Sequence, residues 1–140
     1  MKTLLTTPGL TMAHDAENGW LHLIWRGMHS EEESQACFLR ILDQVCLTQV
    51  SRILNDATQD EDGWTELTRW MNRDFLHNLA DVGIVAMAWV LPDNLQARTD
   101  VHRMLAPLDC PMVDTFSDPE AAYRWLQQAP PQGNCQLPTP

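Results

Sequence analysis

The hydrophobic period changes several times along the chain, and each change marks an element. From Trp20 to Trp25 the side chains alternate, with Trp20, His22 and Ile24 on one face and Leu21, Leu23 and Trp25 on the other. Both faces are largely apolar, which fits a strand covered on both sides. Upstream, Leu10 to His14 reads as a short strand, joined to it through Ala16-Glu17-Asn18-Gly19, where Asn-Gly is a hairpin signal. Leu4 and Leu5 precede Thr6-Thr7-Pro8-Gly9, a turn.

Beyond the hairpin the period lengthens. Ser30 with Glu33 forms a capping box, and Glu31 to Glu33 lie at the positive end of a helix dipole. The helix carries Phe38, Leu42 and Val45, with Leu39 and Cys46 beside them, on its apolar face and ends near Thr48. Val50 to Leu54 is a strand that opens through Asn55-Asp56 into an acidic loop. Trp64, Leu67, Met71, Phe75 and Leu79 then set out a helix from Trp64 to Val82, closed by Gly83. Ile84 to Leu91, uncharged throughout, reads as a central strand of a parallel sheet, stopped by Pro92. Asp93 or Asn94 caps a helix from Leu95 to Leu105, and Met112 to Phe116 is a last strand. Ser117 caps a final helix through Asp118-Pro119-Glu120, turning Ala122, Trp125 and Leu126 inward. The Pro- and Gly-rich segment from Ala129 to Pro140 is expected to be a disordered tail.

The expected architecture is one α/β domain over residues 1–128, a β-hairpin followed by alternating α/β units with four helices around a mixed sheet. The length of 140 residues suits a single domain with its own core.

Charge narrows the partners. The net charge is −10, and Lys2 is the only lysine. Such a chain repels phosphate backbones, so nucleic acid is not an expected partner. No apolar run reaches the length of a membrane span. The N-terminal apolar run breaks at Pro8-Gly9, too early for a signal-peptide core, so a cytoplasmic location is expected. The cysteines Cys37, Cys46, Cys110 and Cys135 show no CxxC pair and no zinc spacing. Cys37 and Cys46 share a helix about 13 Å apart, too far to bridge, and are expected to be buried thiols.

The candidate chemistry is sparse. Asp56, Asp60, Glu61 and Asp62 crowd the loop after Leu54 with no cation between Asn55 and Gly63. They lack the EF-hand pattern, so a solvated loop that can meet a basic partner is the reading, and no metal is expected. Asp74, His77 and Asp81 share one side of a helix and read as solvent surface. His22 reads as a core or half-buried histidine. No nucleophile elbow, cysteine-protease pattern or phosphate-binding glycine motif is present, so neither catalytic residues nor a cofactor are expected. Trp70 lies off the main apolar stripe of its helix and is a candidate exposed contact.

Several short strings, in order, resemble the SpoIIAA-like, or STAS/SEC14-domain, small bacterial proteins. They are Trp25-Arg26-Gly27, the Glu31-Glu32-Glu33 helix start, Asn55-Asp56 ending a strand, Trp70, Leu91-Pro92, and Phe116-Ser117-Asp118 followed by Ala121 and Trp125-Leu126. They span residues 10 to 128. The resemblance implies a four- or five-stranded mixed sheet with helices mainly on one side, and a non-enzymatic role. Members of the wider group bind a partner kinase or switch protein and are regulated by phosphorylation at the helix start after the strand corresponding to Val50 to Leu54. Thr58 is the only hydroxyl early in that loop, and the Asp-Ser-Ser-Gly type sequence is absent. A phosphate there would sit among four carboxylates, so the phosphoswitch is not carried over. The SEC14 side implies an apolar ligand pocket between helices and sheet, for which Met71, Phe75, Met87, Trp89 and Met104 are candidates.

The expected function is thus a regulatory protein-interaction module. It docks a protein partner, or a second copy of itself, through Asp56, Thr58, Asp60, Glu61, Asp62 and Trp70. The alternative is a carrier of a small apolar ligand.

Overall fold

Among the described residues, strand order in the sheet follows chain order. The computed structural model describes residues 1–27, 30–60, 66–91 and 110–129, without the side chains of residues 31, 60 and 66–72. The strands are β1 (Lys2–Thr6), β2 (Leu10–Asp15), β3 (Trp20–Gly27), β4 (Arg52–Asp60), β5 (Ala86–Val90) and β6 (Met112–Phe116). The described helices are α1 (Glu31–Thr48), α2 (Glu66–Asp81) and α3 (Pro119–Gln128). β1, β2 and β3 are antiparallel neighbours, and β3 to β6 are parallel. The expected helix from Leu95 to Leu105 and the tail from residue 130 lie outside the described residues.

Several expectations change. Among the described residues the sheet has six strands, because Leu4 and Leu5 belong to an edge strand rather than to the lead-in of a turn. Both pack against the core, which is what holds this edge in place. The fourth strand starts at Arg52 and runs to Asp60, so the first half of the expected acidic loop is strand. The cap of α3 is Asp118, whose carboxylate accepts the Glu120 N–H at 3.1 Å, and Ser117 stands outside it. Ser30 does cap α1, its hydroxyl accepting the Glu33 N–H at 3.1 Å.

Each face of the sheet has its own core. On one face Leu21, Leu23, Trp25, Ile53, Met87 and Trp89 meet Ile41 and Val45 of α1 and Phe75, Leu76 and Leu79 of α2. Fully burying one such side chain contributes about 1.5–3 kcal/mol. On the other face Trp20, Leu54, Ala86, Ala88 and Val90 meet Ala122, Leu126 and Ala129. Alanine at two successive β5 positions of that face lets α3 approach the sheet closely. Ala129, placed with the tail by its sequence, is 7% exposed and belongs to this core.

α1 and α2 lie on the same face because both crossovers step the same way along the sheet, as a constant handedness requires. Helix α1 turns Phe38, Leu42 and Val45 toward the core as expected, but its face is shifted slightly. Its core face is centred on Ile41 and Val45, and Leu39 and Cys46 point outward, Leu39 being 64% exposed. Cys37 is half-buried, so neither thiol is fully buried; burial still pushes the Cys37 thiol up, Arg40 partly offsetting it. Cys110 is disulfide-bonded.

Candidate functional site

The rim of the sheet at the end of β4 is shaped by one irregularity. Ile24 of β3 is level with Asp56 and Arg26 with Gln59, so Ala57 and Thr58 together face Trp25. This is a bulge, one residue opposed by two. The Asp56 carboxylate holds it: Oδ1 accepts the Thr58 N–H at 2.9 Å and the Thr58 hydroxyl at 2.7 Å. An aspartate bonding the backbone two residues on is an Asx turn. β5 stops opposite Asp56, at Val90, whereas β4 continues beside β3 to the pair Gly27 and Asp60. The last four residues of β4 therefore project past β5. Gly27 leaves β3 with φ 67°, a left-handed conformation suited to glycine.

Behind the rim the wall is aromatic. Trp25 Nε1 donates to Asn55 Oδ1 at 2.7 Å, with both residues 7% exposed. The Trp25 ring meets Phe38 edge-on at 5.8 Å, and Phe38 stacks on Phe75 at 4.3 Å. β3, β4, α1 and α2 are thereby joined immediately inside the bulge. On the opposite face His22 sits half-buried, level with Leu54. Burial pushes its pKa below the usual 6.5, while the Asp56 and Asp15 carboxylates pull it up without cancelling that effect.

The other end of β4 carries a second polar cluster. Arg52 donates through Nη1 to the Leu126 carbonyl at 2.9 Å and through Nη2 to the Asn18 carbonyl. Its guanidinium carbon lies 5.4 Å from the Trp20 ring centroid. The Asn18 amide donates to Asp15 Oδ2 at 2.8 Å and lies 2.6 Å from the Tyr123 hydroxyl, and its oxygen accepts from Gln127 at 3.2 Å. Burial raises the Asp15 carboxyl, but the bonds from the Asn18 side chain and backbone prevail and leave it below its ordinary value. The cluster ties the β2–β3 hairpin to α3, while Arg52 Nε is buried with no hydrogen-bond partner among the described residues.

Of the residues singled out from the sequence, Asp56 and Thr58 come together in the bulge. Asp60 ends β4, and Trp70 and Met71 lie in α2, their side chains outside the described residues, as are Glu61, Asp62 and Met104 entirely. Phe75, Met87 and Trp89 are 5%, 1% and 3% exposed and pack in the core shared by α1, α2 and the sheet. Asp74, His77 and Asp81 are exposed on α2. Asn55 was missed as a core residue, although it shares the parity of Ile53 and Ala57 on β4. Among the described residues no three His, Cys, Asp or Glu side chains gather as a metal site, and no helix is long and apolar enough to cross a membrane.

No protein-family model matches this chain, and no curated protein does. Among solved structures it is similar to an uncharacterized protein of the DUF3478 family with a SpoIIAA-like fold, from Shewanella loihica PV-4. The match covers 90% of this chain and 98% of the other, with a TM-score of 0.60 and 16% identity. At that identity the likeness defines the fold. The chain is an α/β domain of SpoIIAA-like fold, as its sequence strings imply.

Proposed function

We propose that the chain is a non-enzymatic regulatory module that docks a basic protein partner. The surface is the projecting end of β4, continued by the acidic residues 60–62 and the exposed side of α2. The observation that carries this reading is the bulge. It fixes Asp56 and Thr58 on a strand end that extends past β5 and leads directly into Asp60, Glu61 and Asp62. A concentration of one charge sign on a fixed rim favours encounter with the opposite sign and sets specificity more than affinity. Thr58 takes no phosphate in this reading, because its hydroxyl is bonded to a carboxylate that a phosphate would repel.

The test compares two baits, the wild-type chain and Asp60→Asn/Glu61→Gln/Asp62→Asn, in cross-linking capture read by mass spectrometry. A partner cross-linked to residues 56–82 of the wild type should be lost with the triple variant, and from the wild type at high salt. Identical capture by both baits would sink the docking reading.

A further inference from the structure

The outward side of α1 is not polar throughout. Ala36, Leu39, Asp43, Cys46 and Leu47 lie opposite the buried Ile41 and Val45, with Arg40 at the flank, and all six are exposed. Leu39 is 64% and Leu47 75% exposed, so two large apolar side chains meet solvent on one helix of about five turns. The chain carries a net charge of −10, yet from Ala36 to Leu47 its only charges are Arg40 and Asp43. The stretch itself carries no net charge, so repulsion between two copies is low along it.

We propose that this face is a homodimer contact, a second copy lying antiparallel across it about a two-fold axis. Two complementarities choose that occupant and fix its register. In an antiparallel two-fold pair, each residue is level with the one equally far from the axis on the other copy. Arg40 and Asp43 are centred on the same point of α1 as Ala36 and Leu47, midway between Ile41 and Leu42. One axis therefore brings Arg40 to Asp43 of the partner subunit and Leu47 over Ala36 of the partner subunit, each twice. Ala36 and Leu47 lie about three turns apart on the same side of the helix, so the large side chain meets the small one. Leu39 fills the space beside the axis. A contact made by one helix is smaller than a standard interface, so association is weak and concentration-dependent. This face lies on a different helix from the docking surface proposed above and does not depend on it.

Sedimentation equilibrium of the full chain from about 1 µM to about 1 mM should show a monomer–dimer equilibrium. Leu39→Glu and Leu47→Glu should each weaken it by about tenfold or more, since each places a charge in the contact. Arg40→Asp or Asp43→Arg alone should weaken it, and the two together should restore it. In a Cys46→Ser background, Ala36→Cys chains mixed with Leu47→Cys chains should form the 36–47 disulfide faster than either forms one with itself. All these positions are exposed, and circular dichroism verifies the fold of each variant. A chain monomeric throughout that range would overturn the proposal, as would a dimer indifferent to the glutamates or the charge reversals. Asp60→Asn/Glu61→Gln/Asp62→Asn should leave the dimer intact, which separates this result from failure of the docking reading.

Discussion

Trp25 and Asn55, diagonal neighbours on adjacent strands, share a hydrogen bond of 2.7 Å inside the larger core. A buried polar pair of this kind fixes strand register, since a slip of one residue would put Asn55 on the other face. Asn55→Ala should lower stability by about 1–3 kcal/mol in urea unfolding. A double-mutant cycle with Trp25→Phe should recover a coupling of about 1 kcal/mol. Additive single effects would show that the bond contributes nothing beyond packing.

His22 sets a pH dependence. Its folded pKa lies below the unfolded value of 6.5, so between the two the unfolded chain binds more protons. The contribution is complete above 6.5 and is lost as pH falls toward the folded value. His22→Gln should flatten the stability profile on the acid side of 6.5. Unfolding midpoints measured at closely spaced pH values check this, and an unchanged profile would refute it.

Arg52 is the cross-tie of the smaller core. Arg52→Met keeps much of the stem and removes the bonds to Asn18 and Leu126, and should cost about 1.5–3 kcal/mol. Hydrogen exchange of α3 amides should quicken before that of α1 amides. Tyr123→Phe loses one partner of Asn18 and should cost about 0.5–1.5 kcal/mol.

The bulge can be probed at its bond. Thr58→Val removes the hydroxyl that donates to Asp56 and keeps the β-branched shape, at a cost of about 0.5–1.5 kcal/mol. Its effect should exceed that of Gln59→Ala, an exposed neighbour on the same strand.

Much of this fold was legible because each element has one clear period. β3 announced itself by alternation, β5 by an uncharged run, and α3 by Pro119 at its start. The misplaced elements share a physical cause. β1 has only Leu4 and Leu5 to bury, too few to show a period. β4 looked finished at Leu54 because Asn55 and Asp56 are turn formers in isolation. Asn55 is held in the strand by Trp25, 30 residues earlier, and Asp56 by a bulge, neither visible locally. On α1 Phe38, Leu42 and Val45 do face the core, but Leu39 and Cys46 are as apolar as the residues it buries, so composition alone left the edge of its inward side ambiguous. Of the rim, the charges were legible; the bulge that holds Asp56 was not, because it depends on pairing with β3.

Strand order has a consequence for synthesis. Because the strands are laid down in chain order, each one leaves the ribosome with its neighbour already in place, and the sheet can grow by addition at a single edge. No strand has to wait for a later one to be inserted beside it. α3 is the exception, since its ties to Asn18 and Arg52 reach back across the molecule. Until Tyr123 and Leu126 emerge, Trp20 and Leu54 lack their cover. A nascent chain stalled before Pro119 therefore lacks the Ala122, Leu126 and Ala129 half of that core.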